Sequence, residues 1–439
     1  MSVVTPTPLA ELDINDEFAK AFEALENTPQ HLFITGKAGT GKSTLLQYFR
    51  LKTKKNIAVL APTGVSAINI KGQTIHSFFQ FKPDITPETV NDLIIRKNKR
   101  KLYAQLECLV IDEVSMVRAD LLDCIDLFLR MYGPAYNKPF GGVQMVFFGD
   151  LFQLPPVVRR EEEGIFSSHY PSPYFFSARV MKQVELTIFQ LQKIYRQKDD
   201  QFIRLLNAVR DNEVEEEHAR LFNSRFKPGL VKQDDFYIAL TTTNAVADRI
   251  NNQQLLSLPG NVQSFSGAIT GDFDKKSLPT TEQLVLKVGA QVMMLTNDTD
   301  KRWVNGSLGK IVRIVDDKYD GAVIMVQLQN GSVVDVKQHS WELYQYYLDE
   351  HTTTLSSKVV GNFTQYPLKL AWAVTIHKAQ GQTFDRVIID IGYGTFAHGQ
   401  MYVALSRCTN LDGIILRQSF NPKHILMDQR VLDFVRTRI

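Results

Sequence analysis

Gly36 Lys37 Ala38 Gly39 Thr40 Gly41 Lys42 Ser43 fits the phosphate-loop pattern GxxxxGK[ST] at every fixed position. It restricts this chain to folds in which a strand runs through a glycine loop into a helix. The flanks agree: Leu32 Phe33 Ile34 Thr35 precedes the loop and Leu45 Leu46 Gln47 Tyr48 Phe49 follows it. Gly36, Gly39 and Gly41 permit dihedrals that a Cβ would forbid, so consecutive N–H groups and the helix start can point at one polyphosphate. Lys42 then reaches the β and γ phosphates, and Ser43 offers its hydroxyl to a magnesium ion. Ala38, Thr40 and Thr44 complete the cradle, and the implied cofactors are ATP and Mg2+.

Further apolar runs end in polar residues, as buried parallel strands do. Ile57 Ala58 Val59 Leu60 Ala61 ends at Pro62 Thr63 Gly64. Cys108 Leu109 Val110 Ile111 ends in Asp112 Glu113, where Asp112 can hold the metal and Glu113 can polarise the water that attacks the γ phosphate. Gln144 Met145 Val146 Phe147 Phe148 ends in Gly149 Asp150 Leu151 Phe152 Gln153, and Gln153 is placed to sense the γ phosphate. Such strand ends gather along one sheet edge, where ligands of open α/β sheets bind. Ahead of the loop, Phe18, Ala21, Phe22 and Leu25 have helical spacing over Asp16 to Leu25. Between Gly64 and Phe81, Thr74 Ile75 His76 Ser77 Phe78 Phe79 mixes aromatic, hydroxyl and imidazole groups. Two readings stand for Phe78 and Phe79: rings that stack on bases, or core.

With 439 residues, 44% hydrophobic and 22% charged, the chain has room for two or three globular domains. No apolar stretch has the length of a membrane span, and Met1 to Ala10 lacks a basic start and an apolar signal core, so a cytoplasmic protein is expected. Cys108, Cys124 and Cys408 form no CxxC pair and suggest neither disulfides nor zinc. A net charge of +3 does not by itself diagnose nucleic-acid binding, although the run Arg96 Lys97 Asn98 Lys99 Arg100 Lys101 can contribute to it.

The second half repeats the α/β pattern without a second phosphate loop. Phe236 to Leu240 reads as a strand ending in Thr241 Thr242 Thr243 Asn244, and Ala245 to Leu258 as a helix capped by Asn244. From about Leu284 to Tyr366 the pattern changes to short alternating runs, with Asn330 Gly331 as a hairpin signal. A small antiparallel barrel inserted into the second α/β domain is expected there. Arg386 to Asp390 is a further strand.

Three segments together resemble the Pif-one family of DNA helicases, superfamily one, subclass B, relatives of RecD: Asp112 Glu113 Val114 Ser115 Met116, Gly149 to Pro156, and Leu191 Gln192 Lys193 Ile194 Tyr195 Arg196 Gln197. The similarity runs from about Ile14 to Asn410, as in a bacterial core-only member. It implies two RecA-like domains, residues 1–188 and residues 189–290 with 366–439. It also implies a Src-homology-three-like barrel at 291–365 and a short wedge insertion at about 65–81. Arg196 matches the arginine of the fourth helicase motif. Leu368 to Thr383 resembles the fifth, in which Thr375, His377 and Lys378 face nucleic acid and Gln380 and Gly381 lie towards the nucleotide. Met401 to Thr409 resembles the sixth, which presents Arg407 to the γ phosphate. The candidate DNA contacts are Thr63, Gly64, His76, Ser77, Phe78, Phe79, Thr242, Asn244, Thr375, His377 and Lys378. The chain departs from the family at Phe18, where members usually carry a glutamine that reads adenine. Phe18 either stacks on the base or fills the core.

The resemblance implies a DNA-stimulated ATPase and 5′-to-3′ helicase that acts on single-stranded, forked or structured DNA, G-quadruplexes included. Its expected setting is DNA repair, recombination and telomere maintenance, as a nucleoid-associated monomer in the absence of DNA. A slow nucleotide-switched clamp is the first competitor, disfavoured by Glu113, Gln153, Arg196 and Arg407 all being present. A small-molecule kinase is the second, and it needs no second lobe bearing cross-cleft arginines.

Overall fold

The computed structural model describes residues 15–159, 161–195, 199–229, 236–317, 321–392, 394, 395 and 397–438. The first lobe is built on strands β1 (His31–Gly36), β2 (Ile57–Ala61), β3 (Gln73–Thr74), β4 (Cys108–Ile111), β5 (Gln144–Phe148) and β6 (Leu186–Leu191). They form one parallel sheet in the order β3-β2-β4-β5-β1-β6. Its helices are α1 (Asp16–Asn27), α2 (Lys42–Lys52), α3 (Gly64–Asn69), α4 (Ile75–Phe79), α5 (Lys97–Ala104), α6 (Ala119–Tyr132) and α7 (Glu163–His169). Strands β4 and β5 are buried along their whole length, which explains their continuous apolar runs. Because β5 lies between β4 and β1, the phosphate loop, Asp112 Glu113 and the Gly149–Gln153 turn emerge side by side. Strand β6 pairs with β1 from His31↔Leu186 to Gly36↔Leu191, so the first lobe runs to 191, past the expected limit of 188.

Gln73 and Thr74 extend the main sheet beside β2, and Ile75, Phe78 and Phe79 are buried in the lobe's core. Phe79 stacks between Phe81 and Tyr103, and Phe78 meets Tyr103 edge-on. The core reading of both rings therefore replaces the stacking one. Apolar residues at i and i+1 after a short strand have no periodicity, which is why the sequence left the choice open.

Helices α8 (Asp200–Arg210) and α9 (Glu216–Asn223) lead to the second lobe. There β7 (Ile238–Thr241) is followed by α10 (Asn244–Ser257), whose cap is Thr243 and not Asn244. Thr243 is extended and its hydroxyl accepts from Val246 N at 3.4 Å, whereas Asn244 is already helical.

The antiparallel module comes next. Its strands are β8 (Gln263–Ser266), β9 (Ala268–Gly271), β10 (Gln283–Leu286), β11 (Gln291–Met294), β12 (Leu308–Asp317), β13 (Gly321–Leu328), β14 (Val333–Val336), β15 (His339–Leu348), β16 (Leu355–Gln365) and β17 (Leu368–Leu370). They form sheets β14-β13-β12-β11-β17, β15-β16-β9 and β10-β8. The module thus spans 263–370, wider than the expected 291–365, because β8 and β9 are short and largely exposed and carry no apolar alternation. The Asn330 Gly331 turn is present, with Gly331 at φ +85° and its N–H donating to Leu328 O at 2.9 Å. The second lobe resumes with β18 (Ala373–Thr375), β19 (Val387–Asp390), α11 (Gln400–Leu405), β20 (Ile414–Leu416) and α12 (Gln429–Arg438). Its parallel sheet has the order β18-β7-β19-β20.

The long β15–β16 hairpin docks on the first lobe. The Tyr346 hydroxyl accepts from Val59 N at 2.9 Å, Tyr346 N donates to Gln73 Oε1 at 3.1 Å, and Leu355 N donates to Asn56 Oδ1 at 2.9 Å. Among the described residues, no helix is long and apolar enough to cross a membrane.

Candidate functional site

The loop after β1 has the backbone that its glycines allow. Gly41 sits at φ +88° as the cap of α2, and a Cβ on Gly36 would lie 2.6 Å from both the Leu191 carbonyl oxygen and the Thr40 hydroxyl. Thr40 Oγ1 donates to Lys37 O at 3.0 Å, and Lys42 Nζ donates to Gly36 O at 2.7 Å and Lys37 O at 3.0 Å. Ser43 is exposed at the helix start and Thr44 half-buried behind it. The segment after β6 braces the loop, with Tyr195 N donating to Gly39 O at 2.8 Å.

Asp112 and Glu113 stand at the end of β4. Burial and the neighbouring Glu113 push the Asp112 carboxyl up to about 7, and burial also raises Glu113 against the lowering influence of Lys42 and Arg407. Glu113 takes φ +52°, a left-handed backbone that a non-glycine residue adopts at a cost and that aims its side chain into the cleft. After β5, Gln153 is buried, and its Nε2 donates to Asp150 Oδ2 at 3.4 Å. Asp150 in turn pairs with Arg210 of α8 at 3.4 Å, and the guanidinium lies 3.8 Å above the Phe152 ring centroid.

The second lobe closes this cleft. Gln380 Nε2 donates to Glu113 Oε2 at 3.2 Å and to Gln153 Oε1 at 3.0 Å, joining the lobes through two of the expected site residues. Gly381 follows it, exposed and at φ +79°. Arg407 is buried, with Nε on Val403 O at 3.0 Å, Nη1 on Gln382 O at 3.1 Å and Nη2 on Ser406 Oγ at 2.9 Å. These bonds aim its charge, which acts on Glu113. The Tyr402 hydroxyl, on α11, accepts from Ala38 N of the phosphate loop at 3.2 Å, and burial pushes its pKa up to about 12. Sequence reasoning gave Tyr402 and Arg210 no role. Tyr402 lies inside the segment quoted for Arg407, and only its lobe-to-lobe reach sets it apart. Arg196 lies outside the described residues.

The expected DNA contacts divide. Lys378 and Asn244 are exposed, as is Ser77, whose Oγ accepts from Gln73 Nε2 at 2.9 Å. Thr242, His76 and His377 are half-buried, and burial lowers both imidazoles. Thr63 Oγ1 caps α3 by accepting from Ser66 N at 3.2 Å. Gly64 is covered: a Cβ there would lie 2.1 Å from Ser277 Oγ of the antiparallel module. Thr375 is buried, and its Oγ1 accepts from Lys378 N at 3.3 Å, so it shapes the turn that displays Lys378 and does not itself face outward. Phe78 and Phe79 are core. Phe18 also fills the core, 7% exposed and edge-on to Tyr48 at 5.7 Å, so the base-stacking alternative falls away.

Among the described residues no cluster of three or more histidine, cysteine or carboxylate groups forms a metal site. Ser43 and Asp112 carry hydroxyl and carboxylate oxygens, the hard donor type that magnesium takes.

Comparison with known proteins gives consistent matches. The PIF1-like helicase family matches residues 13–220, the Pif1 2B domain 274–314 and the UvrD-like helicase C-terminal domain 370–411. The ATP-dependent DNA helicase Pif1 of Bdellovibrio bacteriovorus is 30% identical over 98% of this chain and 93% of its own length. Human ATP-dependent DNA helicase PIF1 is 32% identical over 98% of this chain. The chain spans 64% of the human protein and 62% of its Emericella nidulans counterpart. Among solved structures, Bacteroides Pif1 in complex with ADP-AlF4 superposes with a TM-score of 0.89 at 38% identity over 97% of both chains. Bacteroides Pif1 bound to ssDNA, at the same identity and coverage, gives 0.69.

Proposed function

The chain belongs to the PIF1-like helicase family, and on that premise we propose that it is a DNA-stimulated ATPase and helicase, moving along single-stranded DNA from 5′ to 3′. The observation that carries this reading is the composite cleft. Lys42, Glu113 and Gln153 come from one parallel-sheet lobe, and Gln380, Tyr402 and Arg407 reach it from the other. A site divided in this way is completed only when the lobes close, so each round of hydrolysis is tied to motion between them.

Bound ATP and Mg2+ supply the scissile phosphoanhydride and a charge that neutralises the phosphates. Ser43 and Asp112 would hold the ion. Lys42 leaves its loop carbonyls for the phosphates, and Glu113 orients and accepts a proton from the attacking water. Gln153 senses the γ phosphate, while Arg407 and, as we propose, Arg196 stabilise the charge on it. His377, Lys378, Asn244, Thr242, His76 and Ser77 contact the DNA strand along the ends of β18, β7 and the α4 region. A strand gripped by both lobes advances as they open and close. The lower TM-score against the ssDNA-bound relative supports a change in lobe arrangement when DNA is engaged.

Both sheets read as RecA-like, and the five-stranded antiparallel sheet as the small Src-homology-three-like barrel. The exposed part of α3 around Val65 is what remains of the wedge reading, since the rings behind it are core. Forked and G-quadruplex DNA, roles in repair, recombination and telomere maintenance, a monomeric DNA-free state and a nucleoid location complete the proposal. ATPase assays of the wild type and Lys42→Ala, with and without single-stranded DNA, test it together with unwinding of duplexes carrying a 5′ or a 3′ tail. DNA-stimulated turnover lost in Lys42→Ala, with unwinding confined to the 5′ tail, is expected. Turnover indifferent to DNA would overturn it.

A further inference from the structure

A side chain of the second lobe touches both the water-activating carboxylate and the γ-phosphate sensor. Gln380 donates from a single nitrogen, Nε2, to Glu113 Oε2 at 3.2 Å and Gln153 Oε1 at 3.0 Å. A primary amide nitrogen has two hydrogens, so this pair of bonds uses its full donor capacity. Glu113 has two carboxylate oxygens, and with one of them held by Gln380 its freedom to turn towards a water is reduced.

Gln380 is mechanically joined to the proposed DNA contacts. Gln380 N donates to His377 O at 3.2 Å, Ala379 N to Thr375 O at 3.0 Å, and Lys378 N to Thr375 Oγ1 at 3.3 Å. Residues 375–380 are therefore one hydrogen-bonded turn. It starts from the buried Thr375 at the end of β18, displays Lys378 to solvent at its crest, and ends with Gln380 on the catalytic carboxylate. A phosphate drawn to Lys378 pulls on the same turn that holds the Gln380 amide. The coupling is short, contiguous and confined to six residues, so it needs no rearrangement of the sheet behind it.

We propose that Gln380 is a brake on hydrolysis, a positioning residue that holds Glu113 and Gln153 in an unproductive bridge until DNA engages the 377–378 turn and withdraws the amide. The inference rests on the helicase reading above and extends it: DNA stimulation of the ATPase becomes the release of one two-bond contact between the lobes. The brake predicts a gain of function. Removing the amide donor raises the DNA-free rate and leaves less for DNA to stimulate.

The test uses the full chain and compares Gln380→Met, which keeps the length of the side chain but has no donor, with Gln380→Glu, which sets a third carboxylate against Glu113 and repels it. ATPase rates are measured without DNA and at saturating oligothymidylate, with Lys42→Ala as the control that assigns turnover to the phosphate loop and melting temperature as the control for folding. Both variants are expected to raise the DNA-free rate by about tenfold, the rate equivalent of one hydrogen bond to a charged group. The ratio of DNA-stimulated to DNA-free turnover should fall correspondingly. A DNA-free rate that stays at or below the wild-type value in either folded variant overturns the brake, because a merely structural or phosphate-binding Gln380 only loses activity on substitution. A wild type whose turnover does not respond to DNA would overturn the helicase reading itself, and the two failures are distinct.

Discussion

Replacing Arg210 should expose how the Gly149–Gln153 loop is held. Its guanidinium is 6% exposed and its partner Asp150 fully buried, and the two meet at 3.4 Å. The plane of the guanidinium also lies against the Phe152 ring, so cation–π attraction adds to the pairing. Arg210→Ala removes the positive partner and leaves a carboxylate buried and uncompensated, which typically costs about 3–5 kcal/mol. For a cooperative unit the size of one lobe this lowers the melting temperature by roughly 6–20 °C. The partner change Asp150→Asn retains an oxygen for Phe152 N, which now donates to Asp150 Oδ1 at 3.2 Å. Paired with Arg210→Met it removes both charges and keeps volume, so the double variant should recover most of the loss. Differential scanning fluorimetry and urea titration of Arg210→Met, Asp150→Asn and the double make a double-mutant cycle, with Arg210→Ala measured beside it. Additive losses, or an Arg210→Ala protein that melts with the wild type, would refute the ion pair as the loop's support.

Phe79→Ala should destabilise the first lobe by about 3–5 kcal/mol, as expected for a buried aromatic, with DNA affinity unchanged in the folded fraction by fluorescence anisotropy. Lys378→Ala should leave stability intact and reduce the slope of log affinity against log salt for single-stranded DNA by about 0.7, read from binding isotherms at several salt concentrations. His398 is buried between the lobes, with Leu151 O 2.8 Å from its Nε2 and with its Nδ1 accepting from Asp428 N at 2.9 Å, and burial holds its pKa below the ordinary 6.5. The unfolded chain therefore takes up the proton first. The stability this histidine contributes is present above pH 6.5 and is lost as pH falls from there towards the folded-state pKa, so melting temperature should drop on acidification and His398→Gln should flatten that drop.

Much of the cleft could be read from the sequence because the residues that build its first-lobe half follow strands that are buried throughout. Apolar runs ending in Gly36, Asp112 and Gly149 declare both the strand and the loop after it, and a parallel sheet places those loops on one edge. The second-lobe residues were reached through resemblance, since nothing in the local pattern of Gln380 or Arg407 says that it crosses a cleft. Tyr402 and Arg210 act through contacts separated by 364 and 60 positions, and such pairings leave no local signal. Phe78 and Phe79 show the opposite difficulty. Adjacent aromatics after a two-residue strand fit a stacking platform and a core equally well, and only the packing of Tyr103, Phe81 and Phe128 around them decides. The module's early edge at β8 and β9 escaped for want of apolar alternation, and the helix cap at Thr243 lay among three successive threonines before Asn244.

Completion of the ATP site by the second lobe is tested most directly by single-turnover hydrolysis in Arg407→Ala. The residue is buried and aimed by Val403, Gln382 and Ser406, and its charge reaches Glu113 across the cleft. With ATP and saturating single-stranded DNA, the hydrolysis step should slow by roughly 10³-fold or more, as for loss of a transition-state arginine, while ATP affinity changes little. Hydrolysis at the wild-type rate in a folded Arg407→Ala protein would contradict it.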